Sequence, residues 1–392
     1  MTEGGAAMKI LFITDPGIVG GATRSLVDLT GALKARGCQC VVCTSKRTEL
    51  NDELEAMEIQ TIADGHMAAM EPKSPKRWKR PIKVVARRIQ RMFNLPAAIR
   101  KIEREVNLNS FDLIHTNSAR NDLGCLLARK YRIKHVVHIR EFGQEDFDCC
   151  CYRMNYYRFL NRFTNRFIAI SEAVRESWIR KGISSEKIAL IYNGVYSGDI
   201  LPVEREKYEQ NSLRLVMAGG ICAAKGQNQA VEAIGLLPEK IRRQVTLDLM
   251  GWCDEKYCAA LKRRVREMKL EKQVRFLGAF KSVHALLKDY QVALMCSRAE
   301  GFGRVTAEYL LAGLTVIASD TGANPELIED EKNGLLYHYG NAGDLAQKIK
   351  RLFDDRALLA RLALAGRAKA QKNYTIECNA ERIFQLYQEI AG

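Results

Sequence analysis

The sequence lacks the features that would exclude an ordinary globular fold. No apolar run approaches the ~20 residues that a transmembrane helix needs. The beginning of the chain does not have the charged-then-apolar layout of a signal peptide. Hydrophobic residues make up 47% and charged residues 27% of the 392 residues, which argues against disorder, a collagen-like chain and a coiled coil. We therefore expect a cytoplasmic globular protein of two domains.

Cysteine is too scattered to form a disulfide framework. The 12 cysteines follow no regular spacing, so reduced thiols are the expectation. Cys40 and Cys43 form a C-x-x-C pattern, but they lie in the apolar run CQCVVCTS, which predicts a strand with its thiols in the core. The triplet Cys149–Cys151 has no second cysteine pair or histidine cluster that would complete a metal site.

Acidic residues are too few to balance the basic ones. The chain has 61 Lys and Arg against 46 Asp and Glu, a net charge of +15. Such an excess suggests an anionic partner, which could be a membrane surface, a nucleic acid or a phosphorylated small molecule. No zinc motif or aromatic-interleaved basic patch supports nucleic acid, so none is expected as a partner.

Positive charge is concentrated in one segment, residues 73–93. Its first part, KSPKRWKRPIKVVARRIQR, carries nine basic residues and no acid. If a helix follows Pro81, one face is apolar and the basic side chains lie largely elsewhere; the apolar face is Ile82, Val85, Ile89, Met92 and Phe93. This pattern fits a helix on an anionic membrane surface, and it fits equally a solvated cationic loop over a core helix.

Short apolar runs alternate with helical patterns along the whole chain. KILFIT, at residues 9–14, is the first such run, and the amphipathic pattern of residues 24–35 follows it. This alternation predicts parallel sheets with helices on both faces. We expect a first domain over 8–195, a polar linker over 196–212 and a second domain over 213–374. A C-terminal helix over 376–390 completes the first domain.

The segment after the predicted strand VALMC has the strongest chemical signal. Gly301 and Gly303 let the backbone approach a ligand, and a helix is predicted to begin near Arg304. The first N–H groups of that helix suit a phosphate or a sugar oxygen. Glu300 and Glu308, before and on the helix, can hold separate hydroxyl groups.

A second signal lies in AGGICAAKGQNQAVEAI. Lys225 follows a strand and the glycine pair Gly219–Gly220, and it stands just before a predicted helix. An ammonium group near a helix N-terminus can clamp a diphosphate. An ordinary surface lysine is the alternative.

EGFGRVTAE, followed by AGLTVIASDTGANPELI, resembles the Glu-x7-Glu glycosyltransferases of family 4, also called glycosyl transferases group 1. The resemblance covers essentially the whole chain from Met8. It implies an α/β chain with the GT-B fold, in which two Rossmann-like doubly wound parallel-sheet domains face a central cleft. It also implies that the protein moves a sugar from a nucleotide-sugar donor to a hydroxyl acceptor with retention, without an essential metal or other cofactor.

The resemblance also assigns donor-binding residues. Glu300 would contact the donor sugar and Glu308 the nucleotide ribose. Further donor contacts would come from Gly20, Gly21, Gly219, Lys225, Gly301, Phe302, Gly303 and Arg304. The matching family segment usually reads Gly-Arg-x4-Lys-Gly, and here Gly220 occupies the usual arginine position.

The acceptor side is expected in the first domain, where polar residues are predicted just past the strand ends in FDLIHTNSARND and HVVHIREFG. These are His115, Asn117, His138, Arg140 and Glu141. His138 and His115 are candidate catalytic residues together with Glu300, and a satisfied core histidine is the alternative for His115.

Retention by double displacement needs a carboxylate nucleophile, and none is evident in these loops. The family's favoured mechanism is instead a front-face reaction in which the leaving phosphate takes the acceptor proton. Asp146 and Asp148 match the Asp-x-Asp of metal-dependent glycosyltransferases, but they precede no donor motif and are assigned no metal.

The acceptor is expected to be lipid-linked or a surface-polysaccharide precursor, which allows peripheral contact with the inner face of a membrane. The alternatives are an isomerase or hydrolase of nucleotide-sugars and, less favoured, a basic nucleic-acid-binding protein.

Overall fold

The computed structural model describes residues 8–15, 20–73, 79–143 and 149–392. The chain divides into two compact units. Unit 1 comprises Met1–Gly194 and Ile376–Gly392, and unit 2 comprises Val195–Thr375.

The strands are β1 Lys9–Thr14, β2 Gln39–Thr44, β3 Gln60–Ala63, β4 Met70–Pro72, β5 Leu113–Thr116, β6 Lys134–Ile139, β7 Cys149–Cys151, β8 Arg166–Ala169, β9 Ile188–Leu190, β10 Leu213–Ala218, β11 Val245–Met250, β12 Val274–Gly278, β13 Val292–Met295, β14 Thr315–Ser319 and β15 Leu335–Tyr337.

The α-helices are α1 Gly21–Ala35, α2 Glu49–Ala56, α3 Lys79–Glu105, α4 Leu123–Tyr131, α5 Tyr156–Phe163, α6 Glu172–Arg180, α7 Arg205–Tyr208, α8 Gln227–Leu236, α9 Glu239–Arg242, α10 Glu255–Glu267, α11 His284–Leu287, α12 Arg304–Leu311, α13 Asn324–Leu327, α14 Ala342–Asp354, α15 Arg356–Asn373 and α16 Ile376–Ala391.

Unit 1 is built on a seven-stranded parallel sheet in the order β3-β2-β1-β5-β6-β8-β9. Successive side chains of β1 enter different cores because a strand alternates its faces. Ile10 and Phe12 pack with residues of α1 and α16, whereas Leu11 and Ile13 pack with residues of α3 and α4. Burial on both faces explains why β1 reads as a continuous apolar run.

Unit 2 is built on a six-stranded parallel sheet in the order β12-β11-β10-β13-β14-β15. β10 and β13 are direct neighbours at the centre of this order. Loops that follow neighbouring parallel strands emerge at the same edge of the sheet, where ligands of open α/β sheets bind.

The segment 196–212, which was expected to be a linker, lies within unit 2 and contains α7. The Val203 backbone N–H donates to the Ala312 carbonyl at 2.8 Å. The Tyr208 hydroxyl donates to the Gly313 carbonyl at 2.6 Å. These contacts hold the segment against the end of α12, because buried Val203 and Tyr208 supply apolar contact that the polar composition concealed.

The cysteines differ in part from the expectation. Cys40 and Cys43 lie in β2 and enter opposite cores, so they cannot hold one metal together. Burial raises the pKa of Cys40 to about 12 and that of Cys43 well above its usual value. The expectation of only reduced thiols is wrong for Cys253 and Cys258, which form a disulfide across five residues at the start of α10.

The apolar face predicted in the first half of α3 is exposed, whereas Leu95, Ala98 and Ile102 of its second half are buried. Ile82, Val85, Ile89, Met92 and Phe93 are 52–73% exposed, and we call this row the apolar stripe. None of the helices in the described ranges is long and apolar enough to cross a bilayer.

Arg91 lies on the buried face of α3, although it belongs to the basic segment whose charged side chains are expected at a membrane surface or in solvent. Its guanidinium contacts Asp122 at 2.5 Å, and Arg153 contacts the second oxygen of the same carboxylate at 2.5 Å. Burial of Arg91 is possible because this ion pair offsets its desolvation.

Candidate functional site

Two loops at one edge of the unit 2 sheet bring Lys225 and Glu300 together. Lys225 follows β10, Glu300 follows β13, and Lys225 Nζ lies 2.7 Å from Glu300 Oε2. The side chains are 38% and 15% exposed, so both groups can meet a ligand. The sequence predicted each residue separately, and the pairing of β10 with β13 explains why they meet.

Glycines allow the loops at this edge to pack closely. A Cβ on Gly226, which has φ +70°, would lie 2.2 Å from the Cys296 carbonyl oxygen. A Cβ on Gly322 would lie 2.6 Å from the backbone of Glu300, and the Ala323 N–H donates to the Glu300 carbonyl at 2.8 Å. Only glycine fits at both positions, and together they fix the backbone that carries Glu300.

Helix α12 begins at this edge, after Gly303 in the left-handed conformation with φ +77°. Its first N–H groups therefore lie beside Glu300, in the arrangement that binds anions. Arg304 is the first residue of α12 and is partly exposed. The Phe302 ring is buried and packs edge-on against Tyr374 at 5.6 Å, so only its backbone is available to a ligand.

Glu308 lies one turn into α12 and is 13% exposed. Its Oε1 is 3.7 Å from Nε2 of His284, a residue of α11. A carboxylate in this half-buried position can accept hydrogen bonds from two vicinal hydroxyl groups. The sequence predicted Glu308 but gave no signal for His284, which lies 24 residues earlier.

Trp252 is a further residue that the sequence did not indicate. It follows β11 beside the glycine pair after β10, and its indole is 59% exposed. A Cβ on Gly220 would lie 2.7 Å from the indole carbons. Trp252 therefore occupies the space next to Gly220, where the family usually has an arginine. The disulfide of Cys253 restrains the same loop.

In unit 1, Arg140 joins several strand ends. It follows β6, and its Nε donates to Asn117 Oδ1 at 2.8 Å, just past β5. Its Nη1 donates to Asn193 Oδ1 at 2.7 Å. Glu141 accepts from the Ser118 hydroxyl at 2.7 Å. Asn117, Arg140 and Glu141 follow strand ends as predicted, and all three are more than 90% buried.

The two candidate catalytic histidines do not follow strand ends, so that prediction is wrong. His115 lies within β5 and His138 within β6, and both are fully buried. His115 Nδ1 bonds to the Tyr387 hydroxyl, and His138 Nδ1 lies 3.2 Å from Arg140 Nη2. Burial, with a smaller contribution from Arg140, lowers the pKa of each well below the usual value. The catalytic assignment stays a prediction, and the burial of both rings favours a supporting role.

A charged cluster beside β1 was also not predicted. His66 Nδ1 is 2.6 Å from Asp64 Oδ1, and His66 Nε2 is 2.8 Å from Asp15 Oδ1. Burial opposes protonation of His66, but the hydrogen bonds to Asp15 and Asp64 outweigh it and raise its pKa to about 10. Asp15 directly follows β1 and is 23% exposed. The cluster therefore presents a carboxylate at the edge of the unit 1 sheet where β5 and β6 also end.

Gly20 and Gly21 are exposed at the beginning of α1, and Gly20 is its N-cap with an extended backbone. Asp146 and Asp148 lie outside the described residues. Within the part of the chain that the structure describes, no group of three or more His, Cys, Asp or Glu is placed to hold a metal ion.

Comparison with known proteins identifies the class. The sequence model of the family Glycosyltransferase Family 4 matches residues 19–197, and that of Glycosyl transferases group 1 matches residues 203–369. The chain belongs to the family 4 (group 1) glycosyltransferases, and its two parallel-sheet α/β units form the GT-B fold.

Similar proteins include two bacterial proteins named as glycosyltransferases. EpsD of Bacillus subtilis (strain 168), provisionally named a glycosyltransferase, is 24% identical over 75% of this chain and 81% of its own. The N,N'-diacetylbacillosaminyl-diphospho-undecaprenol alpha-1,3-N-acetylgalactosaminyltransferase of Campylobacter jejuni is 27% identical over 60% of this chain and 63% of its own.

Solved structures agree in fold. The crystal structure of Anabaena Alr3699/HepE in complex with UDP and glucose has a TM-score of 0.76 and 23% identity. It covers 97% of this chain and 100% of its own.

Proposed function

We propose that this glycosyltransferase moves a hexose from a nucleotide-sugar to a hydroxyl group of a lipid-linked or surface-polysaccharide acceptor, with retention of configuration. The observation that carries the donor assignment is the convergence of Lys225, Glu300 and the N-terminus of α12 at one edge of the unit 2 sheet. An ammonium and helix N–H groups suit a diphosphate, and carboxylates suit sugar hydroxyls. Binding of UDP and glucose by Alr3699/HepE supports this class of donor.

The residues of the donor site bind different parts of the nucleotide-sugar. Lys225 and the first N–H groups of α12 stabilise the negative charge of the diphosphate, which grows as the bond to the sugar breaks. Glu300 orients the sugar and Glu308 orients the ribose. The partly exposed Arg304 adds positive charge at the same helix terminus.

The reaction proceeds on one face of the sugar. The bond between the anomeric carbon and the phosphate oxygen breaks as the acceptor oxygen forms its bond to that carbon. The departing phosphate oxygen takes the acceptor proton, so no separate base is required. The protein contributes position and charge stabilisation to an oxocarbenium-like transition state.

The acceptor assignment rests on unit 1 and on one relative. The name of the Campylobacter jejuni relative specifies a diphospho-undecaprenol acceptor. In unit 1, Asp15, Asn117 and Arg140 bring polar groups to the strand ends, where a hydroxyl acceptor can be oriented. The apolar stripe of α3 gives the chain a surface suited to a membrane that contains such an acceptor.

Product analysis tests the reaction. The protein is incubated with the nucleotide-sugar that gives the largest shift in a thermal screen of UDP-, GDP- and ADP-sugars, together with a lipid-linked acceptor. NMR of the product should show the anomeric configuration of the donor, and activity should survive EDTA. An inverted anomeric centre would overturn the retaining mechanism. A strict Mn²⁺ requirement would instead give Asp146 and Asp148 a role as ligands.

Vesicle binding tests the proposed peripheral membrane contact. The burial of Arg91 makes it unsuitable for substitution, so the variant replaces Lys83, Arg87 and Arg88 with Gln. Binding to phosphatidylglycerol vesicles should fall with added salt and fall further in this variant, because each basic residue near an anionic surface contributes about 1 kcal/mol. Equal co-sedimentation of the variant and the parent would exclude this surface of α3.

A further inference from the structure

A groove on unit 1 opens beside the C-terminal half of α3. Its volume is about 490 Å³, and its wall includes Asp64 and Gly65 from the loop after β3. Asn94 of α3 joins the two walls, since its Nδ2 donates to the Gly65 carbonyl at 2.8 Å and its Oδ1 accepts from the Met67 N–H at 2.8 Å. The groove is therefore a fixed feature of the fold.

The lining of the groove is positively charged. Arg100, Lys101 and Arg104 are exposed residues of α3 that line it, and none forms an ion pair with a carboxylate among the residues that the structure describes. Of the two acidic lining residues, Asp64 is already bound to His66, which leaves Glu105 within the lining. Glu103, outside the lining, also attracts Arg100 but is itself paired with Lys130, so the lining keeps an excess of positive charge. Unpaired guanidinium and ammonium groups around a concave surface favour a phosphate ligand.

The apolar stripe of α3 leads into this groove. The exposed face of α3 continues from Phe93 through Pro96 and Ala97 to Arg100 and Arg104, so the stripe and these guanidinium groups lie on the same side of the helix. Arg104 lies one further turn along. Phe93, at the end of the stripe, is about 10 Å along the axis from Arg100 at 1.5 Å per residue. One helix face thus carries an exposed apolar row followed by a cationic groove.

We propose that this groove binds the phosphate or diphosphate headgroup of a phosphorylated lipid, whose hydrocarbon part lies along the apolar stripe. The inference rests on the proposed function, because it assigns the headgroup of the lipid-linked acceptor to a site. A free phosphate would use the cations alone, whereas a lipid in the membrane that the stripe contacts would meet both the cations and the stripe. The continuity of stripe and groove therefore selects the lipid.

The position of the groove agrees with an acceptor role. Its wall residue Asp64 is hydrogen-bonded to His66, and His66 is hydrogen-bonded to Asp15 at the end of β1. The cluster therefore connects the wall of the groove to the end of β1, one of the strand ends of unit 1.

The test compares two charge-matched triple variants of the full chain. The groove variant is Arg100→Gln, Lys101→Gln and Arg104→Gln. The control variant is Lys134→Gln, Arg162→Gln and Arg166→Gln, which removes three exposed cations elsewhere on unit 1. Co-sedimentation is measured with phosphatidylcholine vesicles, alone or containing either a polyprenyl diphosphate or phosphatidylglycerol at equal charge.

The parent should bind vesicles with polyprenyl diphosphate at least about tenfold more tightly than vesicles with phosphatidylglycerol, since each charge-assisted contact to a phosphate is worth about a factor of ten or more. The control variant should keep this preference and the groove variant should lose it. A groove variant with an undiminished preference would overturn the proposal. So would a parent with no preference, or displacement by inorganic pyrophosphate at the concentration at which the lipid binds.

Activity separates this proposal from the proposed function. If the parent glycosylates a lipid-linked acceptor and the groove variant does so with unchanged KM, the function stands and the groove assignment fails. If the parent binds polyprenyl diphosphate through the groove but glycosylates no lipid acceptor, the groove stands and the acceptor class fails. Retained thermal shifts with the nucleotide-sugar show that unit 2 is intact in both variants.

Discussion

Lys225 and Glu300 form an ion pair at 2.7 Å between the loops that follow two neighbouring strands of unit 2. The pair joins the group that we assign to the diphosphate with the group that we assign to the sugar. A diphosphate and the Glu300 carboxylate therefore compete for the same ammonium. This competition makes the two side chains separable by experiment.

Lys225→Ala should weaken binding of the nucleoside diphosphate by about ten- to a hundredfold, because a charge-assisted contact worth about 1.5–3 kcal/mol is lost. Glu300→Gln should act in the opposite direction on the same ligand. It frees the ammonium, so affinity for the nucleoside diphosphate should be equal or about threefold higher, whereas turnover of the nucleotide-sugar should collapse. Isothermal titration calorimetry measures the affinity for the nucleoside diphosphate, and a coupled assay measures the turnover of the nucleotide-sugar. Weaker nucleoside diphosphate binding in Glu300→Gln would show that the carboxylate does not compete.

Trp252 explains why Gly220 can replace the usual arginine of the family segment. A side chain at position 220 would meet the indole, with Cβ at 2.7 Å. Gly220→Arg should therefore improve donor affinity little in the parent and clearly more in a Trp252→Ala background, where the guanidinium has room. A double-mutant cycle on donor affinity measures this coupling. Additive effects would mean that the indole does not control this position.

Three buried histidines of unit 1 should make the fold sensitive to acid. Burial lowers the pKa of His135 to about 3, and it lowers the pKa of His115 and His138 well below the usual value. The unfolded chain takes up protons near pH 6.5, so stability is lost as pH falls below that value. The slope should be about 1.4 kcal/mol per pH unit for each histidine.

Urea denaturation near pH 7.5 and near pH 5.5 measures this effect. The three residues together should cost about 4 kcal/mol, and His66, whose stabilisation grows by about 1.4 kcal/mol over the same range, should reduce the net loss to about 3 kcal/mol. His138→Gln should reduce the net pH dependence by about half. An unchanged pH dependence in that variant would show that His138 is not held neutral.

His66 should behave in the opposite way. Its folded pKa of about 10 exceeds the unfolded value, so its contribution to stability is complete below pH 6.5 and is lost as pH rises through about 10. NMR of ¹³C-labelled histidine should show His66 as an imidazolium up to about pH 9. In Asp15→Asn the titration should move to lower pH. A neutral ring at pH 8 in the parent would contradict the cluster of Asp64, His66 and Asp15.

The sequence predicted the elements whose signals are local. β1 at residues 9–14 and α12 from Arg304 agree with the structure, because a buried strand and a glycine-marked helix start are read from a few adjacent residues. The donor pair Lys225 and Glu300 could be named for the same reason, since each follows its own strand.

Other features depend on contacts between distant segments. The periodicity of α3 identifies an apolar face but not which face is buried. The pairing of Arg91 with Asp122 and the burial of Leu95 and Ile102 show the orientation. The charges around His66 come from two separate loops, so no spacing in the sequence indicates them. His115 and His138 resembled residues past strand ends because strand boundaries within mixed polar and apolar runs are not fixed by composition.

The donor site in unit 2 is the central claim, and the affinity of Glu308→Ala for the nucleotide-sugar tests it most directly. Glu308 should accept hydrogen bonds from ribose hydroxyls, so its removal should reduce affinity about a hundredfold or more in isothermal titration. Glu271→Ala, at an exposed glutamate of the same unit, serves as the matched control and should bind like the parent. Equal affinity of Glu308→Ala and the parent would contradict the assignment of this edge of the sheet to the donor.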